Sequence, residues 1–76
     1  MDYAILATLW NGPATLPELV GALYERTGRP VSATLVGSYI DLLVRFGFIE
    51  SRGIEENTFY ELAERGSVYL GYAATA

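Results

Sequence analysis

A change of period at Gly47 limits this chain more than any other feature. Before it, apolar residues recur at helical spacing; after it that spacing ends, and Phe48 to Arg52 and Thr58 to Leu62, short runs rich in aromatic and β-branched residues on either side of a Gly/Asn-containing turn, read as strands. One continuous helix cannot hold both patterns. The sequence therefore reads as a helical part followed by a hairpin, an α+β arrangement.

Three helices fit the first part. Ile5, Leu6, Leu9 and Trp10 share one helical face, Asp2 stands where a cap is needed, and Asn11-Gly12-Pro13 ends the segment, which predicts a helix over 2–11. Thr15-Leu16-Pro17-Glu18 has the form of a capping box, in which hydroxyl and carboxylate each satisfy the other's orphan amide. Leu16, Leu19, Val20 and Leu23 continue that helix over 16–27, closed by Thr27-Gly28. Arg29-Pro30 is extended, Ser32 is placed to cap a third helix over 33–46 with Val31 and Val36 as its staple, and Gly47 supplies the stop.

After the strands, with Gly53-Ile54-Glu55-Glu56-Asn57 as the turn between them, Glu64 and Arg65 open a last helix in which Val68, Tyr69 and Tyr72 share a face. The expected core is Leu6, Leu9, Leu19, Leu23, Val36, Ile40, Leu43, Ile49, Tyr60 and Leu62. At this length only one core can form, so residues 1–76 are expected to make one domain.

Composition removes most chemistry. The chain has no cysteine and no histidine, which excludes disulfides, the usual zinc and iron sites, and Cys/His nucleophile pairs. No glycine-rich phosphate loop is present, and Glu55, Glu56, Glu61 and Glu64 lack calcium-type spacing, so they read as solvated surface. Neither an enzyme activity nor a cofactor nor a metal is expected. No apolar run approaches the roughly 20 residues a bilayer requires, and no basic-then-apolar signal order is seen; the cytoplasm is the expected compartment, with no membrane partner.

A net charge of −4 weighs against tight non-specific nucleic-acid binding, which comes mainly from cations displacing phosphate counterions. All five cations are arginine, however, the side chain best shaped for phosphate or guanine. On the third helix Thr34, Gly37, Ser38, Asp41 and Arg45 occupy one arc of about 100°. Thr34, Ser38 and Arg45 either read bases and phosphates or form the solvated side of a core helix, and the Asp41/Arg45 spacing predicts a surface ion pair.

The rest of that helix is apolar, with Leu35, Tyr39, Leu42 and Phe46 on one side and Ile40 and Val44 on the other, wider than two neighbouring helices readily cover. Tyr3, Trp10, Tyr69 and Tyr72 likewise exceed what one small core needs. They predict a symmetric homodimer through the first helix and the C-terminal stretch.

The order of three helices, Gly47-Phe48-Ile49-Glu50, a hairpin and Phe59-Tyr60-Glu61-Leu62-Ala63-Glu64-Arg65-Gly66 resembles the winged-helix regulators of the MarR and PadR type over nearly the whole chain. In those proteins a glycine and a hydrophobic pair end the third helix, and a Tyr-x-Leu-Thr-x-x-Gly run links wing to last helix. Here Ala63 stands in place of the threonine, so the last helix lacks a hydroxyl cap.

The resemblance implies a winged helix: a three-helix bundle with a helix-turn-helix, a two-stranded β-wing and a short C-terminal helix. It also implies a transcriptional regulator that reads double-stranded DNA as a homodimer, with the third helix in the major groove and the wing on the adjacent backbone. On this chain the reading face would be Ser32, Thr34, Gly37, Ser38 and Asp41, with Arg45 and Arg52 as flanking phosphate contacts. The acidic tip Glu55-Glu56 and the apolar surplus support a second reading, a winged-helix module that binds a protein partner and no DNA.

Overall fold

Local capping chemistry sets where the helices begin and end. The computed structural model describes the backbone of residues 1–75 and the side chains of residues 1–71. Its elements are α1 (Asp2–Trp10), α2 (Leu16–Thr27), α3 (Ala33–Arg45), β1 (Ile49–Arg52), a 3-10 turn (Glu55–Asn57), β2 (Phe59–Leu62) and α4 (Glu64–Thr75).

The capping box at α2 is complete: the Glu18 amide donates to Thr15 Oγ1 at 3.3 Å, and the Thr15 amide donates to Glu18 Oε1 at 2.9 Å. These bonds hold the Glu18 carboxyl below its ordinary value of 4.5, the Thr15 amide contributing most. Ser32 Oγ accepts from the amides of Thr34 and Leu35 and so caps α3. Gly47, at φ +79°, ends α3 in a Schellman turn: its amide donates to the Val44 carbonyl, and that of Phe48 to the Leu43 carbonyl. Asp2 does not cap α1. The helix begins one residue early, with Met1 at the cap, so Asp2 lies inside the first turn, where its charge still favours the helix dipole.

β1 and β2 pair antiparallel, Ile49 opposite Leu62 and Arg52 opposite Phe59. A bridge at Ala14, between α1 and α2, extends this ribbon on the far side of β2: Ala14 N–H donates to the Tyr60 carbonyl at 3.0 Å and Tyr60 N–H to the Ala14 carbonyl at 2.8 Å. That pairing draws Ala14 into the core.

The core consists of Ile5, Leu6, Leu9, Ala14, Leu19, Leu23, Val36, Ile40, Leu43, Ile49 and Leu70. Tyr60 and Leu62, expected within it, pack against it half-buried, because a two-stranded ribbon at the edge of three helices keeps an open rim. The inward face of α4 adds Leu70, which the expected core did not include, while Tyr69 stands outside the core as expected. Gly66 and Leu70 face inward, while Val68 and Tyr69 are exposed. Gly66 decides this, since a Cβ there would lie inside the van der Waals shell of the Phe48 carbonyl oxygen and 3.0 Å from Leu62 Cδ2. Only glycine lets α4 approach the start of the wing so closely.

Among the described residues no helix is long and apolar enough to cross a membrane.

Candidate nucleic-acid interface

α3 is held from three directions. α1, α2 and β1 pack against it, burying Val36, Ile40 and Leu43 on one side. Its C-terminal turn is fixed by the start of α4, where Arg65 Nη1 donates to the Phe46 carbonyl at 2.7 Å and the guanidinium lies over the Phe48 ring at 5.4 Å. Nearby, the Ala63 amide donates to the Phe48 carbonyl, and Tyr69 meets Phe48 edge-on at 5.8 Å. So α3 is presented to solvent on a rigid frame, which a reading helix requires.

The opposite side of α3 is open. Ser32, Thr34, Ser38, Asp41 and Arg45 are exposed and Gly37 half-buried, so the residues expected to form a reading face do lie together. The exposed arc is wider than the polar stripe, for Leu35, Leu42 and Phe46 also stand in solvent, 47%, 46% and 55% exposed. The width of apolar surface on this helix had signalled a surplus, and the structure assigns it to these three side chains. Ser38 Oγ donates to the Thr34 carbonyl at 3.1 Å, and Ser32 is occupied as a cap. Asp41 and Arg45 form no ion pair with one another; holding two long exposed side chains in one geometry costs more entropy than a screened pair returns.

On the wing, Arg52 is engaged. Its Nε donates to Glu61 Oε1 and its Nη2 to Glu50 Oε2 at 2.9 Å. Glu50 and Glu61 sit directly opposite in the ladder, a repulsive placement that Arg52 neutralises from the same face. The hydrogen bond to Glu61, then the charges of Glu61 and Glu50, push the Arg52 pKa further up. The tip adds Glu55 and Glu56, both exposed, beside Ile54 at 77% exposure. Sequence reasoning missed the Arg52 clamp; the alternation placing Glu50 and Arg52 on one strand face was the available signal.

The aromatic residues assigned to self-association divide in two. Tyr3, Ala7, Trp10, Leu70 and Gly71 line an open groove of about 270 Å³ between α1 and α4. Trp10 is 62% exposed there, and Tyr3 carries Arg26 at 5.9 Å from its ring. Tyr69 instead lines a smaller recess with Asp2, Leu6, Leu43 and Phe48. The Tyr72 side chain lies outside the described residues.

Comparison with solved structures decides the architecture. RosR of H. salinarum superposes with a TM-score of 0.91 at 21% identity, covering 97% of this chain and 68% of that one. The fold is a winged helix-turn-helix. A complex of RosR-S4 gives 0.92 at 21% identity over 97% of this chain, which spans 65% of its length. PadR of Bacillus subtilis in complex with operator DNA gives 0.84 at 22% identity, covering 99% of this chain and 47% of that one. A transcriptional regulator from Clostridium thermocellum gives 0.83 at 24% identity over 97% of this chain and 76% of its own. No protein-family model and no curated protein matches the sequence. In the winged-helix frame α2 and α3 are the helix-turn-helix and β1–β2 the wing.

Proposed function

We propose that this protein is a DNA-binding transcriptional regulator, that residues 1–76 act as one winged-helix domain, and that it works as a homodimer with α3 in the major groove. The observation that carries this reading is the exposed face of α3 on a rigid frame, in a fold shared with PadR in complex with operator DNA. Thr34, Gly37, Ser38 and Asp41 would face base edges, Ser32 would set the N-terminal end of that face, and Arg45 would contact phosphate. Arg52 contributes to phosphate binding only when released from Glu50 and Glu61.

The groove of Tyr3, Ala7, Trp10, Leu70 and Gly71 supports self-association through α1 and α4, which pairs two reading helices on one side of a duplex. A protein partner in place of DNA is favoured by one observation, the wing's surplus of carboxylates over its single, engaged arginine.

The test is selection of duplexes from a random pool, followed by titration at low salt. Recovery of a preferred sequence supports the DNA reading, and enrichment of nothing refutes it.

A further inference from the structure

We infer that α3 reads thymine methyl groups, so that the preferred duplex carries T·A pairs beneath the N-terminal three turns of the helix. This rests on the DNA-binding reading above and names the chemistry of its ligand. Guanine is read mainly by arginine or lysine, and adenine by asparagine or glutamine. From Ala33 to Leu43, α3 contains none of these four residue types, and its single arginine, Arg45, stands in the last turn. The small polar groups are partly committed as well: Ser32 accepts from two helix amides, and Ser38 donates to the Thr34 carbonyl.

What one side of the exposed arc offers in addition is apolar. Stepping at 100° per residue, Asp41, Thr34, Arg45, Ser38, Leu42 and Leu35 follow one another across about 120° of surface. Leu35 and Leu42 flank Ser38 at i−3 and i+4, each about half exposed. Ser38 borders them, and Thr34, beyond Ser38 and Arg45, adds a methyl at the polar end of the arc.

Only one base edge in the major groove is apolar, the C5-methyl of thymine. Asp41, an acceptor only, complements the amino group of cytosine or adenine and disfavours the acceptors of guanine.

The test replaces thymidine by deoxyuridine, position by position, in a duplex selected from a random pool. That change removes the methyl and keeps the pairing and the phosphates. Binding is followed by fluorescence anisotropy at low salt. Each methyl under Leu35 or Leu42 is expected to weaken wild-type binding by about fourfold when removed, the ratio for one buried methyl-sized group. Leu35→Ala and Leu42→Ala, both at exposed positions and checked by thermal melting, should bind less tightly and lose that sensitivity at one position each. If the selected duplex binds equally well with uracil throughout, or contains no thymine under α3, methyl reading is overturned while DNA binding stands. If no duplex binds at all, the DNA reading fails and this inference with it.

Discussion

Gly66→Ala and Gly21→Ala form a matched pair that isolates the contact between α4 and the wing. Both glycines lie inside helices, where alanine is favoured by about 1 kcal/mol. At Gly21 an added Cβ meets nothing within 4 Å, so Gly21→Ala should gain most of that preference. At Gly66 the Cβ collides with the Phe48 carbonyl oxygen and lies 3.2 Å from its carbon, and backbone cannot rotate out of the way as a side chain can. Overpacking of this kind costs about 1–3 kcal/mol, and displacing the Phe48 carbonyl also weakens its bond from the Ala63 amide by about 1 kcal/mol. After the helix preference is set against these costs, Gly66→Ala should be destabilised by about 1–3 kcal/mol. A domain of this size shifts by about 4–8 °C per kcal/mol. Thermal unfolding by circular dichroism should therefore place Gly66→Ala well below wild type and Gly21→Ala at or slightly above it. A Gly66→Ala protein melting as high as Gly21→Ala would refute the close approach.

Further expectations follow from individual contacts. Thr15→Ala should cost about 1 kcal/mol through loss of the α2 cap, read as a lower melting temperature. Because the folded Glu18 pKa is lowered, its stabilisation is present above 4.5 and lost as pH falls through the folded value; Glu18→Gln should flatten that acid limb in a melting series. Glu50→Gln and Glu61→Gln together should free Arg52 and tighten binding to all duplexes alike, visible as a steeper salt dependence. Sedimentation at high micromolar concentration should show a dimer for wild type and a monomer for Trp10→Glu, and a wild-type monomer would remove the groove from the account.

The helical half was legible because its signals are local. Thr15 with Glu18, Ser32, and Gly47 each act within a few residues of where they stand, so composition and position were enough. What escaped depends on long-range placement. The bridge between Ala14 and Tyr60 is made by backbone alone and leaves no residue signature. The inward face of α4 is chosen by a contact between Gly66 and Phe48, and without it Val68 and Tyr69 look as apt for burial as Leu70. The periodicity of α3 foretold that its polar residues lie together on one exposed side, yet which apolar residues join them there, Leu35 and Leu42, could be seen only once the sides of α3 covered by α1, α2 and β1 were known. The phosphate role expected of Arg52 rests on its residue type alone; that Glu61 lies within its reach follows from the strand register, which residue type does not show.

The claim on which the account depends is that α3 meets DNA with Arg45 as its available cation. The direct measurement is duplex affinity as a function of salt, for wild type and Arg45→Ala. With Arg52 held by Glu50 and Glu61, α3 brings one free arginine per subunit, Arg45, so in a dimer this pair should contribute about −2 to the slope of log affinity against log salt, and Arg45→Ala should make the slope shallower by about that amount while weakening all sequences alike. Absence of binding to any duplex at low salt, or a slope indifferent to Arg45→Ala, would contradict the account.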